Sequence, residues 1–301
     1  MKRQLLLLLP VLAAAALVAA APGQARPAAG QIQVVAAENF WGSIAGQLGG
    51  DRVHVTSIID NPATDPHDYE PNSVDARTIA GAQIAIVNGI GYDPWAPKLI
   101  AANPVSGRVV LTVGDIVGLK PGGNPHRWYS PPNVRQVAGT ITNAYAKLDP
   151  KDATYFRAQK THFLTKNLAE YNRLIATIKR KYHGVAVGAS ESIFAPLAQA
   201  LGLNLITPYS FLKAISEGTE PTASDKTTIN GQIAKHQIKV WVFNSQNSTP
   251  DVARFTEAAR KQHIPVTTIT ETMTPASASF EQWQVRQLKA LEAALHQATG
   301  R

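Results

Sequence analysis

Four side chains carry the chemistry that this sequence offers. His67 stands in DNPATDPHDYEP and His126 in GDIVGLKPGGNPHRWYSPP, each directly after a proline. Glu191 follows Ala189-Ser190, and Glu271 stands in TETMTP. Two imidazoles and two carboxylates make a four-residue donor set for a divalent cation. Proline ahead of each histidine stiffens the backbone there, which helps hold a ligand in place. Taken singly, each residue has a plainer reading. A histidine in a proline-rich loop is usually a turn residue, Glu191 suits the first turn of a helix through the helix dipole, and an isolated glutamate is usually solvated. Their positions along the chain set them apart.

Short β-branched runs recur with helical stretches between them: residues 32–36, VHVTSII from Val53, IAIVN from Ile84 and VVLTV from Val109, then VAVGA from Val185, LNLIT from Leu203, VWVFN from Val240 and VTTIT from Val266. Runs this apolar predict buried parallel strands covered by helices on both faces. The four candidates fall in the loops after the second, fourth, fifth and eighth runs. In open α/β sheets, ligands sit outside the carboxyl ends of the strands, so these four loops face one place.

Between the two sets of four runs, residues 149–183 show no strand signal. The stretch opens with Asp149-Pro150, closes with His183-Gly184, and keeps helical apolar spacing through Phe156, Phe163, Leu164, Leu168, Tyr171, Leu174 and Ile178. Proline at the start and glycine just past the end predict one helix, about 45 Å long at 1.5 Å per residue. The expected fold is α/β: two similar lobes at 31–148 and 184–301, each a four-stranded, mostly parallel sheet flanked by helices, joined by one long rigid helix at 149–183.

Lys2 and Arg3 precede an apolar run from Leu5 to Ala21, followed by small residues up to Ala25. This is the pattern of a cleavable secretory signal, assigned to residues 1–25, with cleavage after Ala21 or Ala25. The 301-residue chain has no cysteine, so disulfides and a lipid-bearing cysteine are both excluded. A soluble periplasmic or secreted protein is expected. Its net charge of +8 comes from dispersed residues with no nucleic-acid motif, so no nucleic-acid partner is expected.

On HDYEP and NPHRW, in that order, together with Asn88-Gly89, ISEGTEPT and TETMTP, the chain resembles the zinc- and manganese-type solute-binding proteins of bacterial ABC importers. The resemblance spans nearly all of the sequence after the signal. It implies a monomeric carrier that binds one Mn2+ or Zn2+ ion, with Fe2+ also within range, between two lobes. The ion is then delivered to a membrane permease. It also implies His67, His126, Glu191 and Glu271 as the first to fourth metal ligands. Two departures stand out. The loop before His126 has no histidines, where zinc-type members often have many, and glutamate replaces the commoner aspartate at the fourth position. Carboxylates favour harder ions, although zinc outbinds manganese at most mixed nitrogen and oxygen sites. Together these tilt the reading towards manganese.

Two other functions use the same residues. A metal-dependent envelope hydrolase would need a general base beside the ion, and the sequence has no HExxH or GxSxG. A binder of a chelated metal or organic ligand would need an aromatic or basic cleft and would make the histidines incidental. The remaining histidines (His54, His162, His183, His236, His263 and His296) are read as structural or solvated. Trp41, Trp95 and Trp128 are read as packing residues, with Trp128 shielding His126. Asp65, Asp68 and Glu70 are candidates only for indirect support of the site.

Overall fold

The computed structural model describes residues 30–301. The signal assigned to residues 1–25 lies outside the described residues.

All eight apolar runs form strands. They are β1 (Ile32–Glu38), β2 (Val53–Ile59), β3 (Ile84–Val87), β4 (Val109–Thr112), β5 (Ala186–Ala189), β6 (Asn204–Leu205), β7 (Val240–Asn244) and β8 (Val266–Ile269). They build two four-stranded sheets, in the orders β2-β1-β3-β4 and β6-β5-β7-β8. Every pairing is parallel. The same order recurs in both lobes, so each has a point, between its first and third strands, where the chain winds off in opposite directions. Ligand crevices open at such points.

The crossover from β4 runs through the helix Pro131–Leu148, with proline in its first turn. Helical structure then continues across Ala153–His162 and Ala169–Tyr182. The single regular helix expected over 149–183 is interrupted: Phe163–Asn167 forms a π-turn, closed by Leu168 N–H donating to Phe163 O at 2.9 Å. The extra residue per turn rotates the apolar stripe. Before the turn the stripe packs on the helices Asn39–Gly49 and Pro131–Leu148 of the first lobe. After it, the stripe packs on Ala195–Leu201 and Phe280–Thr299 of the second. One strut thereby grips both lobes on different faces.

One hydrophobic core runs through both lobes without a break. At the seam, Trp283 of the C-terminal helix lies 6.4 Å from the Phe40 ring and 5.5 Å from Tyr129, both of the first lobe. Tyr129 Oη also donates to Thr270 O at 2.8 Å. Aromatic pairs of this kind add about 0.5–1.5 kcal/mol each beyond the area they bury, which favours lobes held closely together. Among the described residues, no helix is long and apolar enough to cross a membrane.

Candidate metal centre

β3 ends in a turn that few sequences tolerate. Gly89, Ile90 and Gly91 all have positive φ, at 69°, 60° and 84°. For a β-branched residue such as Ile90 that conformation is a marked strain, about 1–3 kcal/mol. The Asp93 carboxylate holds the turn by accepting from Asn88 N–H and Gly89 N–H, both at 2.7 Å. Glu38, at the end of β1, is fully buried beside Asp93, and burial pushes its carboxyl well above the usual range. The Asn88 side chain accepts from Trp41 Nε1 at 3.0 Å and donates to Pro125 O at 3.0 Å. The turn beneath β3 therefore fixes the loop that carries His126, and aims Tyr92 at the space between the lobes.

The His126 imidazole is fully buried in that space. Its Nδ1 lies 2.9 Å from Asn124 Oδ1, which can only accept, so the ring proton sits on Nδ1 and the lone pair on Nε2. Nε2 has no hydrogen-bond partner. It lies 3.6 Å from Glu191 Oε1 and 3.5 Å from Glu271 Oε1. These distances are long for hydrogen bonds. Two donors each about 2.1 Å from a tetrahedral ion stand about 3.4 Å apart, so they match the spacing of ligands around a metal. The three donor atoms lie within 4.8 Å of one another and form, among the described residues, the sole histidine–acid cluster of this kind.

Three amides and one phenol brace the cluster. Asn244, the last residue of β7, donates through Nδ2 to Glu191 Oε2 at 2.8 Å, and the same nitrogen lies 2.9 Å from Glu271 Oε1. Asn247 Nδ2 adds a bond to Glu191 Oε2 at 3.2 Å, and Tyr92 Oη donates to Glu271 Oε2 at 2.9 Å. Asn124 crosses the seam as well as orienting His126: its Nδ2 donates to Ser192 O at 2.7 Å. None of these amides was among the residues picked from the sequence. The signal for Asn244 was its place at the end of the strand between β5 and β8, level with both acids. For Asn124 it was the asparagine two residues before the histidine.

His67 stands apart from the other three. It lies outside the 4.8 Å cluster, half-buried, with its ring 4.8 Å from Tyr92. Its Nε2 is nonetheless buried and has no hydrogen-bond partner, and the side chain shares a cavity of about 300 Å3 with Glu271. Trp95 anchors its loop by donating from Nε1 to Pro66 O at 3.1 Å. Trp95 is thus both a packing residue and a tether for the His67 loop. Trp128 sits 5.2 Å from His126, where it covers one side of the imidazole. Asp65 accepts from His67 N–H at 2.9 Å. His236 and His263 occupy left-handed turns just past helix ends, with φ of 49° and 54°.

Burial sets the electrostatics. It pushes His126 down to about 4, so the imidazole is neutral at pH 7. It pushes Glu191 up to about 8, helped by the neighbouring charge of Glu271, whose own carboxyl is also raised by burial. Two acids and a bare lone pair buried in one place are poorly matched with each other and well matched with a dication. Asn244→Ala should weaken metal binding by about 10–100-fold, the usual effect of removing a group that orients metal ligands. Isothermal titration against the unaltered protein would check this, and an unchanged affinity would show that the amide is idle.

The chain is similar to the manganese ABC transporter substrate-binding lipoprotein PsaA of Streptococcus pneumoniae, 26% identical over 274 residues, covering 83% of this chain and 84% of that one. It is also similar to the high-affinity zinc uptake system protein ZnuA of Bacillus subtilis, 22% identical over 215 residues, covering 65% and 66%. Its fold matches the Mn-bound periplasmic metal binding protein of Candidatus Liberibacter asiaticus with a TM-score of 0.73 at 20% identity, covering 88% of this chain and 99% of that one. The model of the family described as zinc-uptake complex component A, periplasmic (ZnuA), matches residues 34–294, and the chain belongs to that family.

Proposed function

We infer that this protein is the extracytoplasmic solute-binding subunit of an ABC importer. It holds one manganese or zinc ion between its lobes through His67, His126, Glu191 and Glu271, and passes the ion to a membrane permease. One observation carries the reading: the partnerless, fully buried His126 Nε2 lies 3.5–3.6 Å from two buried carboxylate oxygens contributed by the other lobe. The names of the relatives, one manganese and one zinc, agree with it. Four protein donors fill a tetrahedral shell and leave no position for a reactive water, so the site carries cargo and performs no chemistry. The PsaA relative is named a lipoprotein. This sequence has no cysteine to carry a lipid, which supports a periplasmic carrier without a lipid tether.

Titration of metal-free protein with Mn2+ and with Zn2+ tests the reading. Saturable submicromolar binding of one ion per chain supports it, and absence of free-ion binding rejects it. The same titration has a predicted pH dependence. A metal binds the ionised carboxylate, and Glu191 without metal is pushed up to about 8. Below that pH the ion must displace a proton, so affinity falls by about tenfold per pH unit from 8 towards 6. His126, pushed down to about 4, adds nothing in that window. Titrations at pH 7 in buffers of different ionisation enthalpy should report about one proton released per ion. A pH-independent affinity between 6 and 8 would contradict the assignment of Glu191.

A further inference from the structure

A second cavity, of about 590 Å3, is lined by none of the four candidate ligands and lies where the helix Pro131–Leu148 of the first lobe, the strut helix Ala169–Tyr182 and the helix Ala195–Leu201 of the second lobe meet. Three cations line it, Arg127, Arg135 and Lys179, and no acidic side chain does. Among the described residues, no carboxylate pairs with any of the three within 4.0 Å. The three cations come from the loop after His126, the helix Pro131–Leu148 and the strut, and all line one hollow that no acid lines.

The cavity also holds its donors ready. Arg127 is half-buried, and its Nε and Nη2 both donate to Asn133 Oδ1, at 2.9 and 2.7 Å. That pins the plane of the guanidinium. Ser130 begins the 18-residue helix without a side-chain cap, and no acid stands in the first turn. The positive end of that helix is therefore uncompensated. Asn172 and Gln199 add side-chain amides to the lining. Fixed guanidinium groups match the geometry of oxyanions, and the volume is that of a small-molecule site.

We propose that this cavity binds a phosphate-bearing anion. The anion bridges the two lobes and the strut, neutralising Arg127, Arg135 and Lys179 together. The phosphate belongs either to a free small molecule or to an anionic lipid headgroup, and the chemistry of recognition is the same for both. Nothing in this assignment depends on the metal reading.

The test uses metal-free full-length protein at low ionic strength. Inorganic phosphate is titrated in one arm, and vesicles of phosphatidylglycerol against phosphatidylcholine in the other. The variant Arg135→Gln/Lys179→Gln removes two of the three cations, and Lys98→Gln/Lys151→Gln removes equal charge from exposed positions outside the cavity. Manganese or zinc titration and circular dichroism confirm that both variants remain folded. The expected result is saturable binding that weakens by about tenfold or more in the cavity variant and is kept in the control variant. Response to phosphate identifies a free ligand, and response only to anionic vesicles identifies a headgroup. No binding in either arm would overturn the proposal. So would equal losses in the two variants, which would mark diffuse surface charge, or equal retention in both.

Discussion

Replacing His126 with alanine lowers the affinity for manganese or zinc by at least ~100-fold. Structural zinc sites contribute about 10–16 kcal/mol through four ligands, so one ligand accounts for about 3 kcal/mol, or roughly two orders of magnitude in Kd. The loss at His126 is expected to be at the upper end, because Asn124 has already fixed its tautomer and aimed its lone pair between Glu191 and Glu271. His67→Ala should also weaken binding strongly, since its buried Nε2 has no other partner. His54→Ala, in β2 and remote from the cluster, should change nothing. The three variants are compared by titration calorimetry, with circular dichroism to confirm the fold. Unchanged affinity in both His126→Ala and His67→Ala would remove the histidines from the site.

Metal should also stabilise the protein substantially. An ion present at about 1,000 times its Kd adds about 4 kcal/mol to the folded state if it does not bind the unfolded chain. For a chain of this size each kcal/mol raises Tm by about 2–4 °C. Scanning calorimetry should therefore show a rise of about 10 °C, reversed by a chelator. Glu191→Gln sharpens the test. Burial keeps Glu191 protonated to about 8 without metal, and glutamine has nearly the shape of a protonated glutamate. The metal-free variant should be as stable as the unaltered protein, while its metal-induced rise shrinks or disappears. A Tm that ignores metal in the unaltered protein would mean that no ion closes this pocket.

The strands were legible because each run is short and rich in β-branched and apolar residues between helical stretches, even β6, which is only two residues long in the structure. The candidate site residues were legible where they stand on punctuation: a proline before each histidine and a strand end before each acid. What brings His126, Glu191 and Glu271 together was not. Asn244 looks like the polar end of an apolar strand until the parallel register of β7 between β5 and β8 sets it between Glu191 and Glu271. Tyr92 acquires its role only through three consecutive positive-φ residues, and one of them, Ile90, is a type that sequence preferences would exclude. The π-turn at Phe163–Asn167 was hidden for a related reason. Helical spacing of apolar residues continues across it, and only the change of packing partners shows that the stripe has rotated.

His67 remains the telling residue, because its imidazole faces the pocket from beyond Tyr92 while the other three donors already stand at ligand spacing. X-ray absorption spectroscopy of the protein loaded with one equivalent of manganese or zinc measures the shell directly. Two imidazole nitrogens and two carboxylate groups should appear at about 2.0–2.2 Å, with one imidazole lost in His67→Ala. A shell of water and carboxylate oxygens without imidazole would contradict the account.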